Sequence, residues 1–237
     1  MLPLRLVTTA RLPAGCVALM LVVTGASSSL PGYPPLLAAA PSHLSLKLNL
    51  ASSQELSAMT TGVMVAEVNR IWWASHLSLI WRSGDVSEPV PPVGESTDSL
   101  RVLILATPAT GLANAATLTV GELVRHQGVK PLAIASVTAA RRIVEESQRR
   151  QTLNGSRDYD RRLGVVLGRA VAHEIGHYLL RTSTHASQGL MRASIDAAEF
   201  ADVRSQSFGL DEEAQAHLAR LASMPHSQPL LFSYASR

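Results

Sequence analysis

The chain has 237 residues, enough for one catalytic-sized domain and a targeting segment but cramped for two full cores. Its composition, 46% hydrophobic and 16% charged, excludes a disordered chain, and with 4% aromatic residues the core falls to aliphatic side chains. The formal charge is only +3, and the arginines of 141–150 and 157–162 are interrupted by Glu145, Glu146, Asp158 and Asp160 with no interleaved aromatics. Such runs read as solvated helical faces and not as a nucleic-acid groove, so no nucleic-acid partner is expected.

Arg5 and Arg11 precede or open an apolar run at 12–23, and small residues follow through Thr24-Gly25-Ala26. Residues 1–26 therefore read as a secretory signal cut after Ala26, and the expected destination is secreted or periplasmic. The alternative is an uncleaved anchor at 12–24, a run short for a stable span. Cys16, the single cysteine, lies inside this run, so the mature domain is expected to carry no thiol or disulfide. The apolar stretch continues past Cys16, which argues against a lipidated cysteine.

Residues 27–42 form a Pro/Ser-rich linker, and the domain is expected over 43–237. Its first strand is 44–50, where Leu44, Leu46, Leu48 and Leu50 alternate with polar residues. Ser52 or Ser53 can cap a long helix in which Leu56, Met59, Val63, Val68, Ile71 and Trp72 recur at helical spacing. A strand at 76–81 and a Gly/Pro/Ser-rich loop at 83–97 follow. The nearly continuous Val/Leu/Ile of 101–106 suits a central strand buried on both faces. Residues 111–129 hold an edge strand near 116–120 and a short helix near 122–127. Next come a strand at 131–137 and a helix at 138–150 with Thr138 as N-cap. After a turn at Asn154-Gly155, residues 158–180 read as one long helix whose glycines are Gly164, Gly168 and Gly176, with Asp158 and Asp160 at its positive end. A last helix is expected over 209–221, with Leu218 and Leu221 inward. The order of elements predicts an α/β domain with helices packed against a mixed sheet. Trp72, Trp73 and Trp81 read as core or groove packing.

The chemistry is concentrated in His173-Glu174-Ile175-Gly176-His177 on that long helix. Residues four apart share a helical face, about 6 Å apart along the axis, so both imidazoles can reach one ion with Glu174 beside them. Neutral imidazole is a good zinc donor, and a catalytic zinc site takes three protein ligands and a water whose pKa the ion lowers. Glu174 is the candidate general base. The motif lies in an apolar stretch, Ala170-Val171-Ala172 before it and Tyr178-Leu179-Leu180 after it, unlike a solvated charged face. The first choice for third ligand is His185, reached through the polar Arg181-Thr182-Ser183-Thr184, with Asp196 and Glu199 as carboxylate alternatives. His217 and His226 read as surface residues, since neither has a paired spacing.

The stretch from His173 to His185, followed by Gly189-Leu190-Met191, resembles the metzincin clan of metallopeptidases. That clan carries H-E-x-x-H-x-x-G-x-x-H and then a tight turn with a methionine beneath the metal. The resemblance implies His173, His177 and His185 as zinc ligands, Glu174 as base and Met191 as the turn methionine; alone, Met191 reads as core. It also implies a zincin-like α+β fold, with a long N-terminal helix and an active-site helix on a twisted mixed sheet and a small C-terminal helical part. The sequence departs at Leu180, where the clan has glycine, and at Ser183, where it has the third histidine; His185 comes two residues later, which a longer loop accommodates if Leu180 stays helical. The expected activity is zinc-dependent endopeptidase cleavage of a protein or peptide substrate. The alternatives are a zinc peptidase using Glu199, or an exported zinc-binding interaction domain without peptidase activity.

Overall fold

The computed structural model describes residues 44–85, 99–107, 120–126, 129–149 and 156–223. The signal and linker expected over 1–42, Cys16, most of the loop expected at 83–97, all but the last residue of the edge strand expected near 116–120, the Asn154-Gly155 turn and His226 lie outside them. No helix among the described residues is long and apolar enough to cross a membrane.

Among the described residues ten elements follow in chain order: β1 (Leu44–Ser52), α1 (Ala58–Trp73), β2 (Leu77–Ser83), β3 (Ser99–Leu105), β4 (Gly121–His126), β5 (Val129–Ser136), α2 (Val137–Arg149), α3 (Ser156–Leu180), α4 (Ala197–Ala201) and α5 (Glu212–Ser223). The strands make one mixed sheet in the order β2-β1-β3-β5-β4, parallel throughout except for β4, which runs antiparallel to β5 at one edge. An α/β domain built on a mixed sheet is what the alternation of patterns predicts.

The period of two in β1 and β3 sends Leu46, Leu48, Leu100, Val102 and Ile104 into the core, all at 2% exposure or less. Arg101, Leu103 and Leu105 on the other face of β3 are only half-buried, so the expectation of a strand buried on both faces fails. The helices cover the first face. Helix α1 lies against α3 through Gly164 and Gly168, where a Cβ would come within 2.7 Å of the Thr60 carbonyl and 2.8 Å of the Met64 carbonyl. These glycines, one turn apart, let two helix backbones approach closely.

Several boundaries shift for local reasons. Ser57, not Ser52 or Ser53, caps α1 by accepting from the Thr60 N–H; Ser52 and Ser53 turn instead to the Ile104 carbonyl. Ser136 Oγ, not Thr138, accepts the Ala139 N–H at the start of α2. His76 adopts φ 53° and belongs to the turn before β2. Asp211 accepts the Ala214 N–H at the start of α5. The helix expected at 122–127 is the edge strand β4: Leu123 and Val124 pair with Ala133 and Leu132, and a ladder to a neighbouring strand outweighs weak local helix preference. Trp72 is fully buried, Trp73 is 82% exposed, and Trp81 donates its indole N–H to Asn69.

Candidate metal centre

Helix α3 runs to Leu180 without a break, so Leu180 is helical and the chain reverses at Arg181, which takes φ 52°. The reversal brings the Thr182 carbonyl to 2.8 Å from His177 Nδ1. A Thr182–Thr184 side-chain turn then leads to His185. A second turn, at Gly189-Leu190-Met191, brings the Leu190 carbonyl to 2.8 Å from His173 Nδ1. Gly189 has φ +74°, and a Cβ there would lie 2.5 Å from the Gly209 carbonyl, so the left-handed turn and the close approach both call for glycine. The Leu190 N–H donates to that same carbonyl, fixing the turn to the C-terminal part.

His173, His177 and His185 meet, with one ligand atom from each all within 4.8 Å of one another. Their ring centroids are 4.6, 5.3 and 4.9 Å apart. With Nδ1–H donated to a main-chain carbonyl in both helical histidines, each presents Nε2 as a lone pair, the tautomer a metal needs. Burial holds His173 down to about 4, with the neighbouring histidines adding and the Leu190 contact opposing; burial likewise lowers His177. Both imidazoles are therefore neutral at ordinary pH, as ligands must be. His185 is exposed. The donor set fits a metal ion: three imidazoles converge, two of them oriented from behind.

Glu174 is buried in the wall of the same cleft, a space of about 740 Å³ between α3, β4 and the segment after Leu180. The Leu123 N–H of β4 donates to its carboxylate, and Gly121 makes the room: a Cβ there would lie 2.7 Å from Glu174 Oε1. Burial pushes Glu174 up to about 8; nearby Glu122 adds, while Arg125 and the Leu123 N–H oppose.

Met191 is 4% exposed and packs under the helix, where its sulfur would overlap any Cβ placed on Gly176. The carboxylate alternatives are engaged elsewhere. Glu199 forms a forked pair with Arg192 at 2.6 and 3.2 Å and accepts from Ser207, which lowers its pKa. Asp196 caps α4 through the Ala198 N–H. His217 is half-buried on α5 rather than on the open surface, and its Nε2 meets no partner among the described residues.

Sequence reasoning missed two features. Arg125 of β4 lines the cleft and donates to the His177 carbonyl at 2.7 Å. Arg169, one turn before His173, is fully buried; it pairs with Glu67 at 2.8 Å, donates to the carbonyls of Glu199, Phe200, Asp202 and Ser205, and stacks 3.9 Å over the Phe208 ring. The signal was available: Glu67 and Arg169 are opposite charges, each set in an apolar helical run. No protein-family model matches the chain, and no curated protein matches its sequence.

Proposed function

We propose that the protein is a zinc-dependent endopeptidase of the metzincin type, holding zinc on His173, His177 and His185 and cleaving peptide bonds with Glu174 as general base. The observation that carries this reading is the juxtaposition of three converging imidazoles with a buried carboxyl group in one open cleft. A purely structural zinc site is closed by four ligands and has no use for a base beside it. Zinc suits the donors, since three imidazoles without a thiolate and with room for a water is a common catalytic set. When bound, the ion supplies a Lewis acid that acidifies a coordinated water and polarises a carbonyl.

The chain's own groups do the rest. With an ion held on the three histidines, the positive charge beside Glu174 would oppose the burial that raises it, and the ionised carboxylate takes the water's proton and returns it to the leaving amine. Held by the Leu123 N–H and the space at Gly121, the carboxyl group keeps its place across that cycle. The Leu190 and Thr182 carbonyls hold His173 and His177 in the ligand tautomer. Strand β4 borders the cleft at the sheet edge, where an extended peptide can add as a further strand. A secretory route for the chain, with peptide or protein substrates met outside the cytoplasm, accords with residues 1–26.

The test is Glu174→Gln in the full chain. We expect kcat on a peptide library to drop by about 10²–10⁴-fold with zinc still bound at one per chain. Retained turnover would remove Glu174 from the chemistry, and an unmutated chain that binds zinc but cleaves no peptide would mark a metal-binding domain.

A further inference from the structure

Among the described residues two arginines line the cleft, and they differ in what they hold. Arg192 is neutralised by its forked pair with Glu199. Arg125 has no carboxylate partner among the described residues; its one bond there runs from Nη2 to the His177 carbonyl, and its Nε is buried without an acceptor. A guanidinium carries five donors in a planar fork that matches a carboxylate, so most of the fork of Arg125 is unused. The side chain lines the cleft, and a guanidinium with donors to spare there is suited to an anionic group of a ligand.

The position is suited to a peptide. Arg125 follows Leu123 by two residues on the same edge strand, where the pairing with β5 shifts register between Val124 and His126, and its bond to the His177 carbonyl sets the guanidinium beside the end of α3. Thr182 and Ser183 border the same cleft. A chain laid along β4 with its scissile bond near Glu174 passes Arg125 within a residue or two. We propose that Arg125 is a specificity-determining residue that receives a carboxylate of the bound peptide, either an acidic side chain or the chain terminus, so that the cleft selects carboxylate-bearing peptides. This rests on the peptide-cleft reading above. The bond to His177 gives Arg125 its aim, because a guanidinium tied at one nitrogen presents the rest of its fork in a fixed direction.

The test measures binding to the full chain stripped of metal, where no ion can compete for the carboxylate. Fluorescent peptides are compared in two pairs: an internal aspartate against asparagine with amidated ends, and a neutral peptide with a free against an amidated C-terminus. In at least one pair the acid should bind about tenfold more tightly than the amide, the difference should vanish in Arg125→Gln, and Arg125→Lys should keep part of it. The pair that responds identifies the source of the carboxylate. Equal binding of acid and amide by the unmutated chain in both pairs overturns the proposal, as does a preference that survives in Arg125→Gln. Cleavage of neutral peptides by the zinc-loaded chain reports separately on the peptidase reading. Cleavage without any acid preference in binding removes Arg125 alone, whereas acid-selective binding without cleavage keeps Arg125 and removes the peptidase.

Discussion

Helix α3 carries two buried polar clusters a single turn apart, and they are built on opposite plans. Around Arg169, the Glu67 carboxylate, four carbonyls and the Phe208 face fill nearly every direction the guanidinium can reach. Around His173, Glu174 and His177, each side chain is held from one side and left unmade on the other: imidazoles tied at Nδ1 and free at Nε2, a carboxyl group held by one main-chain N–H. A saturated network fixes structure. A half-saturated one in an open cleft is prepared for a ligand, and the contrast separates the two roles on one helix without appeal to sequence motifs.

The sharpest way to break the comparison is to exchange what each cluster loses. Arg169→Ala leaves Glu67 with Arg70 as its remaining partner and frees the carbonyls that tie α4 and the segment after it to α3. Breaking a buried pair in this way costs about 3–5 kcal/mol, so chemical denaturation should show a loss of that size. A loss below about 1 kcal/mol would mean the cluster is no more than a surface pair. Next in size is Gly176→Ala, which forces a methyl group against the Met191 sulfur. Overpacking of that kind costs about 1–3 kcal/mol, and the pairing with Met191→Ala should recover part of it in a double-mutant cycle. At the other extreme, His185→Ala removes an exposed side chain. The metal-free chain should keep its stability within about 0.5 kcal/mol while zinc stoichiometry collapses. Zinc retained at one per chain in that variant would dismiss His185 as a ligand.

The two clusters also differ in how far the sequence discloses them. His173 and His177 are legible because metal geometry and helix geometry share a spacing, and the unbroken apolar run to Leu180 tells that the turn comes later. His185 is reached through a polar loop whose path depends on the left-handed Arg181, a conformation that no residue type at that position announces. Arg169 is hidden because its partners are mostly carbonyls from residues 199–205, and a main-chain acceptor leaves no mark in a side-chain pattern. Strand β4 is misread as helix for a related reason: its ladder to β5 is a tertiary interaction, and its six residues are too few for a period to declare itself. The half-buried face of β3 is invisible to composition, since leucine stands on both faces.

The finest discrimination comes from titrating the metal-free chain. Between about pH 4.5 and 6.5 an unfolded chain carries protons on both His173 and His177 and none on Glu174. The folded chain keeps His173 neutral down to about 4, holds His177 low, and keeps the proton on Glu174 up to about 8. The unfolded state then binds more protons, and stability rises with pH. Above about 6.5 the unfolded imidazoles are neutral while folded Glu174 still holds its proton, so stability declines until pH passes about 8. The metal-free chain should therefore be most stable near pH 6.5, with an alkaline limb that Glu174→Gln removes and an acid limb that it leaves. The saturated cluster answers in a different window. Glu67 is held below its ordinary value by Arg70 and Arg169 against the cost of its burial, so its contribution is whole above about pH 4.5 and is lost only as pH falls through the lowered value. Melting curves across pH 3–9 for the unmutated chain and Glu174→Gln resolve the three limbs. A melting temperature that stays level from pH 6.5 to 8.5 in both would show Glu174 ionised throughout, and the carboxyl group would then lie in contact with water instead of sealed against Gly121 and β4.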